Sequence, residues 1–235
     1  MAPHETTKTD ERCWRCHHPA GGSATCSHCS AILPVSPQAD YFSLLGLDGR
    51  RLGLERKRLE EAFYALSRQV HPDRYQTRGP EERQIAEERA AALNVAYRTL
   101  RDPITRTEYL LALEVDLPNE IQDRPPADLL LEIAELQETM AAYGSADVAD
   151  RGALEQALRE SRPALEAREE ALDSDLHVAF DLWDRRVVED GALETKDQLL
   201  TRFRDILLHR RYLTTAIRNI SAALAGEPRP QPEGD

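Results

Sequence analysis

Aromatic residues are scarce in this chain, 6% of 235, so the 41% apolar share falls mainly on Leu and Ala. Together with abundant Glu and Arg, that composition favours helix. No apolar run approaches the ~20 residues of a spanning helix, which argues against a membrane. Met1 to Asp10 is polar, with neither the apolar segment of a signal peptide nor an Arg-rich transit pattern. A soluble protein of the bacterial cytoplasm is expected, in preference to the mitochondrial matrix. Basic residues are outnumbered 30 to 42, for a formal net charge of -12. That sign repels phosphate backbones and argues against nucleic acid as a partner. Cysteine is absent everywhere except between Cys13 and Cys29. In a reducing compartment such crowding points to metal rather than disulfides.

The four cysteines form two C-x-x-C knuckles, Cys13-Trp14-Arg15-Cys16 and Cys26-Ser27-His28-Cys29, separated by a stretch containing Gly21-Gly22-Ser23. Each knuckle lets two thiolates converge on one ion at roughly 2.3 Å, and the glycines let the chain fold back. One structural zinc on Cys13, Cys16, Cys26 and Cys29 is expected, covered by Trp14. Redox dithiols or an iron–sulfur cluster are the alternatives for the same residues. A segment this short buries too little apolar area to fold alone, so the ion supplies its folding energy. His17, His18 and His28 read as solvated loop residues, because four thiolates already complete the shell. A shell without an open position is not catalytic.

Beyond a linker at 34–39, Asp40 is placed to cap a brief helix over Tyr41 to Leu45, which Gly46 closes. Leu59, Phe63, Leu66 and Val70 then recur at spacings of four, three and four. Ile85, Ala92, Leu93, Ala96 and Leu100 likewise share a face, predicting helices from Leu54-Glu55 to Val70 and from Pro80 to Arg101. Pro72 lacks an N–H and forces His71 out of helical backbone, so a loop bearing His71-Pro72-Asp73 separates the two. The outer face of the first helix carries Lys57, Glu61, Tyr64 and Arg68, with Arg56, Arg58 and Arg74 nearby. Taken alone, it reads as a solvated face laced with i,i+4 pairs. His71 beside Asp73 invites a catalytic reading, but no Ser or Cys nucleophile belongs to the group, and no catalytic residue is assigned.

Two antiparallel helices joined by a His-Pro-Asp loop resemble the J domain, the module by which co-chaperones stimulate the ATPase of DnaK-type chaperones. The resemblance implies that Lys57, Tyr64, Arg68 and Arg74 dock on an acidic surface of the chaperone. His71 and Pro72 then fix the loop that presents Asp73 to a partner arginine.

After Pro125-Pro126, helices are predicted over Ala127 to Tyr143, Asp147 to Asp190 and Ala192 to Leu224. Their stripes are Leu129, Ile133, Leu136, Met140; Leu154, Leu158, Leu165, Leu172, Leu176, Phe180, Trp183, Val187; and Leu199, Phe203, Ile206, Leu213, Ile217, Ile220, Leu224. Short connections make neighbours antiparallel, giving a three-helix bundle. Pro163 is expected to kink or break the middle helix, and the tail from Gly226, with three prolines, to be disordered. Leu130 and Leu131 lie off the Leu129 stripe. Leu131, Glu135 and Glu138 share a neighbouring face that Leu130 and Ala134 adjoin, and Leu208 and Tyr212 are surplus on the last helix. A wider core stripe and a face kept for a partner both fit.

Asp40-Tyr41-Phe42 through Gly46-Leu47, His71 to Tyr75, Asn94 to Pro103, and Tyr109-Leu110-Leu111 running into a second helical domain resemble the HscB family, J-type co-chaperones of iron–sulfur cluster assembly. The likeness extends from about Asp40 to Leu224, and some members carry an N-terminal cysteine knuckle pair. It implies an all-α chain: a disordered start (1–12), a zinc-knuckle element (13–33), the linker (34–39), a J domain (40–112), a second linker (113–126), the bundle (127–225) and a disordered tail (226–235). It implies that Leu130, Leu131, Ala134, Glu135, Glu138 and Tyr212 hold an IscU-type iron–sulfur scaffold protein, Ala134 being smaller than the residue usual there. The J domain would activate a DnaK/HscA-type chaperone, making the chain a non-enzymatic co-chaperone. Self-association through the zinc element is a further expectation. The rivals are a general J-type co-chaperone for misfolded clients and a zinc-knuckle protein that reads nucleic acid.

Overall fold

The computed structural model describes residues 12–20, 22–115, 125–188 and 194–226. Within them the chain is all-α, with β structure limited to two isolated bridges, Arg12 with Pro19 and Thr25 with Ile32. Among the described residues no helix is long and apolar enough to cross a membrane. The chain divides into two compact units at Tyr109/Leu110.

In the first unit, Asp40 caps α1 (Tyr41–Leu44) by accepting from the Ser43 N–H at 2.8 Å, and Gly46 closes it at φ 68°. α2 (Arg56–Val70) stops where Pro72 dictates, a 3₁₀ turn covers Pro72–Tyr75, and α3 (Pro80–Arg101) follows. The long helices pack on one another, with Leu59, Val70, Leu93 and Leu100 of the predicted stripes buried, as are Phe42, Leu45 and Leu52. Phe63 on α2 stacks on Tyr97 of α3 at 4.4 Å between ring centroids. Asp102-Pro103 ends one helix and starts another: the Asp102 carboxylate accepts from the N–H groups of Ile104 and Thr105, which seats α4 (Pro103–Glu114). Tyr109 on α4 returns to α1, its hydroxyl accepting from the Tyr41 N–H at 2.9 Å while the two rings stack.

The second unit is the antiparallel bundle of α5 (Leu130–Ser145), α6 (Val148–Val188) and α7 (Lys196–Ala225). The pairings fix its directions. Glu132 meets Arg168 while Tyr143 meets Arg151, and Asp173 meets Arg210 while Phe180 meets Phe203. Leu129, Leu136, Met140, Leu158, Leu165, Leu213 and Ile220 form one continuous core.

Three expectations are corrected here. α5 begins at Leu130 rather than Ala127: residues 127–129 form a turn, and no side chain caps the helix. Asp128, the nearest carboxylate, is drawn instead to His209 at 3.1 Å and Arg168 at 4.0 Å. α7 begins at Lys196, not Ala192, because Thr195 and Gln198 form a capping box that sets the start. α6 runs unbroken through Pro163, which faces solvent, where water can serve the carbonyl left without its N–H partner. The expected disorder at 1–11 and 227–235, the side chain of Val187 and the helix end at Asp190 fall outside the described residues.

Candidate functional site

The cysteine element is one small structure made twice. In each knuckle the first cysteine's N–H donates to a carbonyl five residues on, Cys13 to His18 and Cys26 to Ala31, both at 2.8 Å. Its carbonyl accepts from a residue at positive φ, His17 in one and Ser30 in the other. The result aims four sulfurs at one point. All lie within 4.8 Å of one another, and the Cys13–Cys29 and Cys16–Cys26 pairs are 3.6 Å apart. A tetrahedron of sulfurs with bonds of about 2.3 Å has edges of about 3.8 Å, so the set fits a single metal ion.

Backbone N–H groups of Cys29 and His28 hold the Cys26 thiol down to about 6 against the opposing effect of burial. At Cys16 the His18 N–H pulls downward, but burial and the neighbouring thiols push it up to about 12. Four crowded thiols cannot all ionise by themselves; a cation among them reverses that. Trp14 packs over the cluster as expected, its Nε1 donating to the Ile32 carbonyl at 2.8 Å. His17, His18 and His28 are exposed, with His18 and His28 stacked.

The tripeptide loop is held by the end of α2. A helix leaves its last carbonyls unsatisfied. Here Arg74 donates to the Arg68 carbonyl at 3.1 Å and the buried Tyr75 donates its hydroxyl to the Gln69 carbonyl at 3.2 Å. The Asp73 N–H donates to Nδ1 of His71 at 3.3 Å, and Gln76 steadies the Asp73 carboxylate at 3.1 Å. Asp73 nevertheless leaves its side chain 71% exposed. Along α2, Lys57, Tyr64 and Arg68 all face solvent, as does Arg74 in the loop. Arg56 and Arg58 are spent on Glu60 and Glu55, at 3.2 and 3.0 Å.

In the bundle, Leu129 is fully buried while its neighbours Leu130 and Leu131 stand 55% and 71% exposed. The wider-stripe reading therefore fails for both leucines. Ala134, Glu135 and Glu138 are exposed along the same helix, so five of the six predicted positions share an open face of α5. Tyr212 is only partly open: it packs against the bundle core, with the Arg211 guanidinium 5.5 Å from its ring centre. Leu208 is half-buried.

Residues missed by the sequence reading anchor both regions. Glu82 and Arg89 are buried on α3, and His209 of α7 reaches Asp128 across 81 positions of sequence. The first two had a signal: Glu82, Ile85, Arg89 and Leu93 follow spacings of three, four and four, which puts two charges in an apolar stripe. The third had none.

Residues 40–109 match the DnaJ domain family. The iron–sulfur cluster co-chaperone protein HscB of Mus musculus is 30% identical over 198 residues, 82% of this chain and 77% of that protein. A co-chaperone protein HscB homolog of Bordetella avium is 38% identical over 129 residues, 54% of this chain and 76% of its own. Among solved structures, human co-chaperone protein HscB superposes with a TM-score of 0.66 at 27% identity, covering 90% of this chain and 97% of that one. Chaperone HscB from Vibrio cholerae gives 0.57 at 25% identity, covering 80% and 99%. With the mouse relative matched across most of both lengths, the chain belongs to the HscB family of iron–sulfur cluster co-chaperones.

Proposed function

We propose that this co-chaperone joins two proteins by two separate surfaces. The α5 face of Leu130, Leu131, Ala134, Glu135 and Glu138, with Tyr212 beside it, binds an IscU-type iron–sulfur scaffold. The His71-Pro72-Asp73 loop, with Lys57, Tyr64, Arg68 and Arg74, engages a DnaK/HscA-type chaperone and stimulates its ATPase. Holding both raises the effective concentration of scaffold at the chaperone, which then hydrolyses ATP and clamps it. Four thiolates at tetrahedral spacing suit zinc, which would hold the cysteine element together and leave no open position for chemistry. The bacterial cytoplasm is the proposed location.

The observation that carries this reading is the exposure of Leu130 and Leu131 on a helix whose adjoining Leu129 is fully enclosed. Burying each would yield roughly 1.5–3 kcal/mol as an upper guide; the cost of association leaves a modest, transient affinity. The test is a pull-down from cells with wild type, Asp73→Asn and Leu130→Ala/Leu131→Ala. Asp73→Asn should retain the scaffold and lose ATPase stimulation, and the leucine variant should do the reverse. Capture of many unfolded clients, unaffected by the leucine change, would favour a general co-chaperone instead.

A further inference from the structure

The cysteine element does not merely precede the J domain; buried charges fasten it there. Arg89 is 7% exposed, and its Nη1 donates to the carbonyls of Leu33 at 2.8 Å and Pro34 at 2.9 Å, where the element ends. Its Nε is buried without a partner among the described residues. Glu82, two turns earlier on α3 and 5% exposed, takes Arg15 of the first knuckle at 3.9 Å and Arg78 at 3.4 Å.

Glu82 also reaches the end of the loop, through Arg78 just ahead of α3. Arg78 lies over the Tyr75 ring, 6.0 Å from its centroid, and its N–H donates to the Tyr75 carbonyl at 2.9 Å. Tyr75 closes the 3₁₀ turn that begins at Pro72 and ties it to Gln69. Contacts therefore run from Leu33 and Pro34 to Arg89 on α3, and from Arg15 through Glu82 to Arg78 and Tyr75.

A buried guanidinium facing only neutral carbonyls is costly unless those carbonyls are fixed. Leu33 and Pro34 are fixed by the second knuckle: Ala31, Ile32 and Leu33 are buried, Cys26 donates to Ala31, and Trp14 holds Ile32. An element this small draws its folding energy from a bound ion. We propose that Arg89 and Glu82 are positioning residues for the His71-Pro72-Asp73 loop, and that the metal-loaded cysteine element keeps them in place. The element is then a strut whose metal occupancy sets how firmly the loop is presented. This rests on the loop being the chaperone-facing surface.

The experiment is amide hydrogen exchange on the full chain, zinc-loaded and chelator-stripped, read at Arg74, Tyr75, Gln76 and Arg78, with Phe203 and Ile220 as internal controls. Stripping should speed exchange at the four loop positions by about tenfold or more while the bundle amides hold. Arg89→Met separates the strut from the ion. It should still bind Co²⁺ with the tetrahedral four-thiolate absorption of wild type, yet exchange at the loop nearly as fast as the stripped protein. Glu82→Gln should give a smaller effect in the same direction. Loop exchange indifferent to metal, or an Arg89→Met variant indistinguishable from wild type, overturns the proposal. ATPase stimulation distinguishes the two layers of inference. If Asp73→Asn abolishes stimulation but stripping changes neither stimulation nor exchange, the strut fails and the loop reading stands. If exchange responds to metal and Asp73→Asn still stimulates, the loop reading fails.

Discussion

The tripeptide loop and the leucine pair are both exposed, yet they are held in opposite ways. The loop is irregular chain, and side chains lock it: Arg74 and Tyr75 cap the carbonyls of α2, and Gln76 steadies Asp73. The leucines make no such local bonds and ride on the first turn of a helix whose entry is held by the Asp128 contacts with His209 and Arg168. A polar contact made by Asp73 depends on direction, so its backbone must be fixed atom by atom. An apolar contact depends on area, so a rigid helix presenting two leucines is sufficient. One surface is built for geometry and the other for greasy area.

That contrast can be broken experimentally. The largest effect is expected for Leu130→Ala/Leu131→Ala, which should weaken scaffold binding by roughly two orders of magnitude, from the lost apolar area. Calorimetry would measure it, and thermal stability should hardly move, since neither side chain is in the core. Asp73→Asn should cost about 1.5–3 kcal/mol of chaperone binding, the worth of a hydrogen bond to a charged group. Titrating ATPase stimulation would show the loss, and an unchanged circular dichroism melt would show that the fold survives. Tyr75→Phe should cost about 1 kcal/mol in urea unfolding of the first unit, because it removes the hydroxyl from the Gln69 carbonyl. It should also loosen the loop without touching scaffold binding.

The smallest effect is a pH dependence at Asp40. Burial would raise this carboxyl, but the Ser43 N–H and Arg50 outweigh it and hold it below the usual carboxylate range. Its folded value being the lower one, the carboxylate stabilises the fold in full above its unfolded value of about 3.9 and that stabilisation fades as pH falls through the folded value. Asp40→Asn should therefore flatten the acid limb of a stability-against-pH curve below about pH 4 and leave the neutral range offset by the lost ion pair.

What could be read from the sequence was chemistry carried by local spacing. Two C-x-x-C knuckles constrain four sulfurs wherever they occur, and His71-Pro72-Asp73 ends a helix by covalent structure alone. Leu130 and Leu131 were legible as surplus to a stripe, but only packing shows which way they face. α5 starts three residues later than its periodicity predicts, and the nearby Asp128 carboxylate is bound by residues far along the chain. The start of α7 is marked by Thr195-x-x-Gln198, a local capping signal that apolar periodicity does not carry. Arg89 and Glu82 were visible as charges within a buried stripe, yet their partners lie 55 and 67 positions earlier, at Pro34 and Arg15. Pairings at that range come from tertiary structure, which one sequence does not reveal.

The claim on which everything turns is that one molecule bridges two proteins. It is tested most directly by mixing Asp73→Asn with Leu130→Ala/Leu131→Ala and measuring scaffold-dependent ATPase stimulation of the chaperone. Each variant keeps one intact surface, so bridging predicts that the mixture stays far below wild type at equal total concentration. Full recovery by the mixture would contradict it, because the two surfaces could then act on separate molecules.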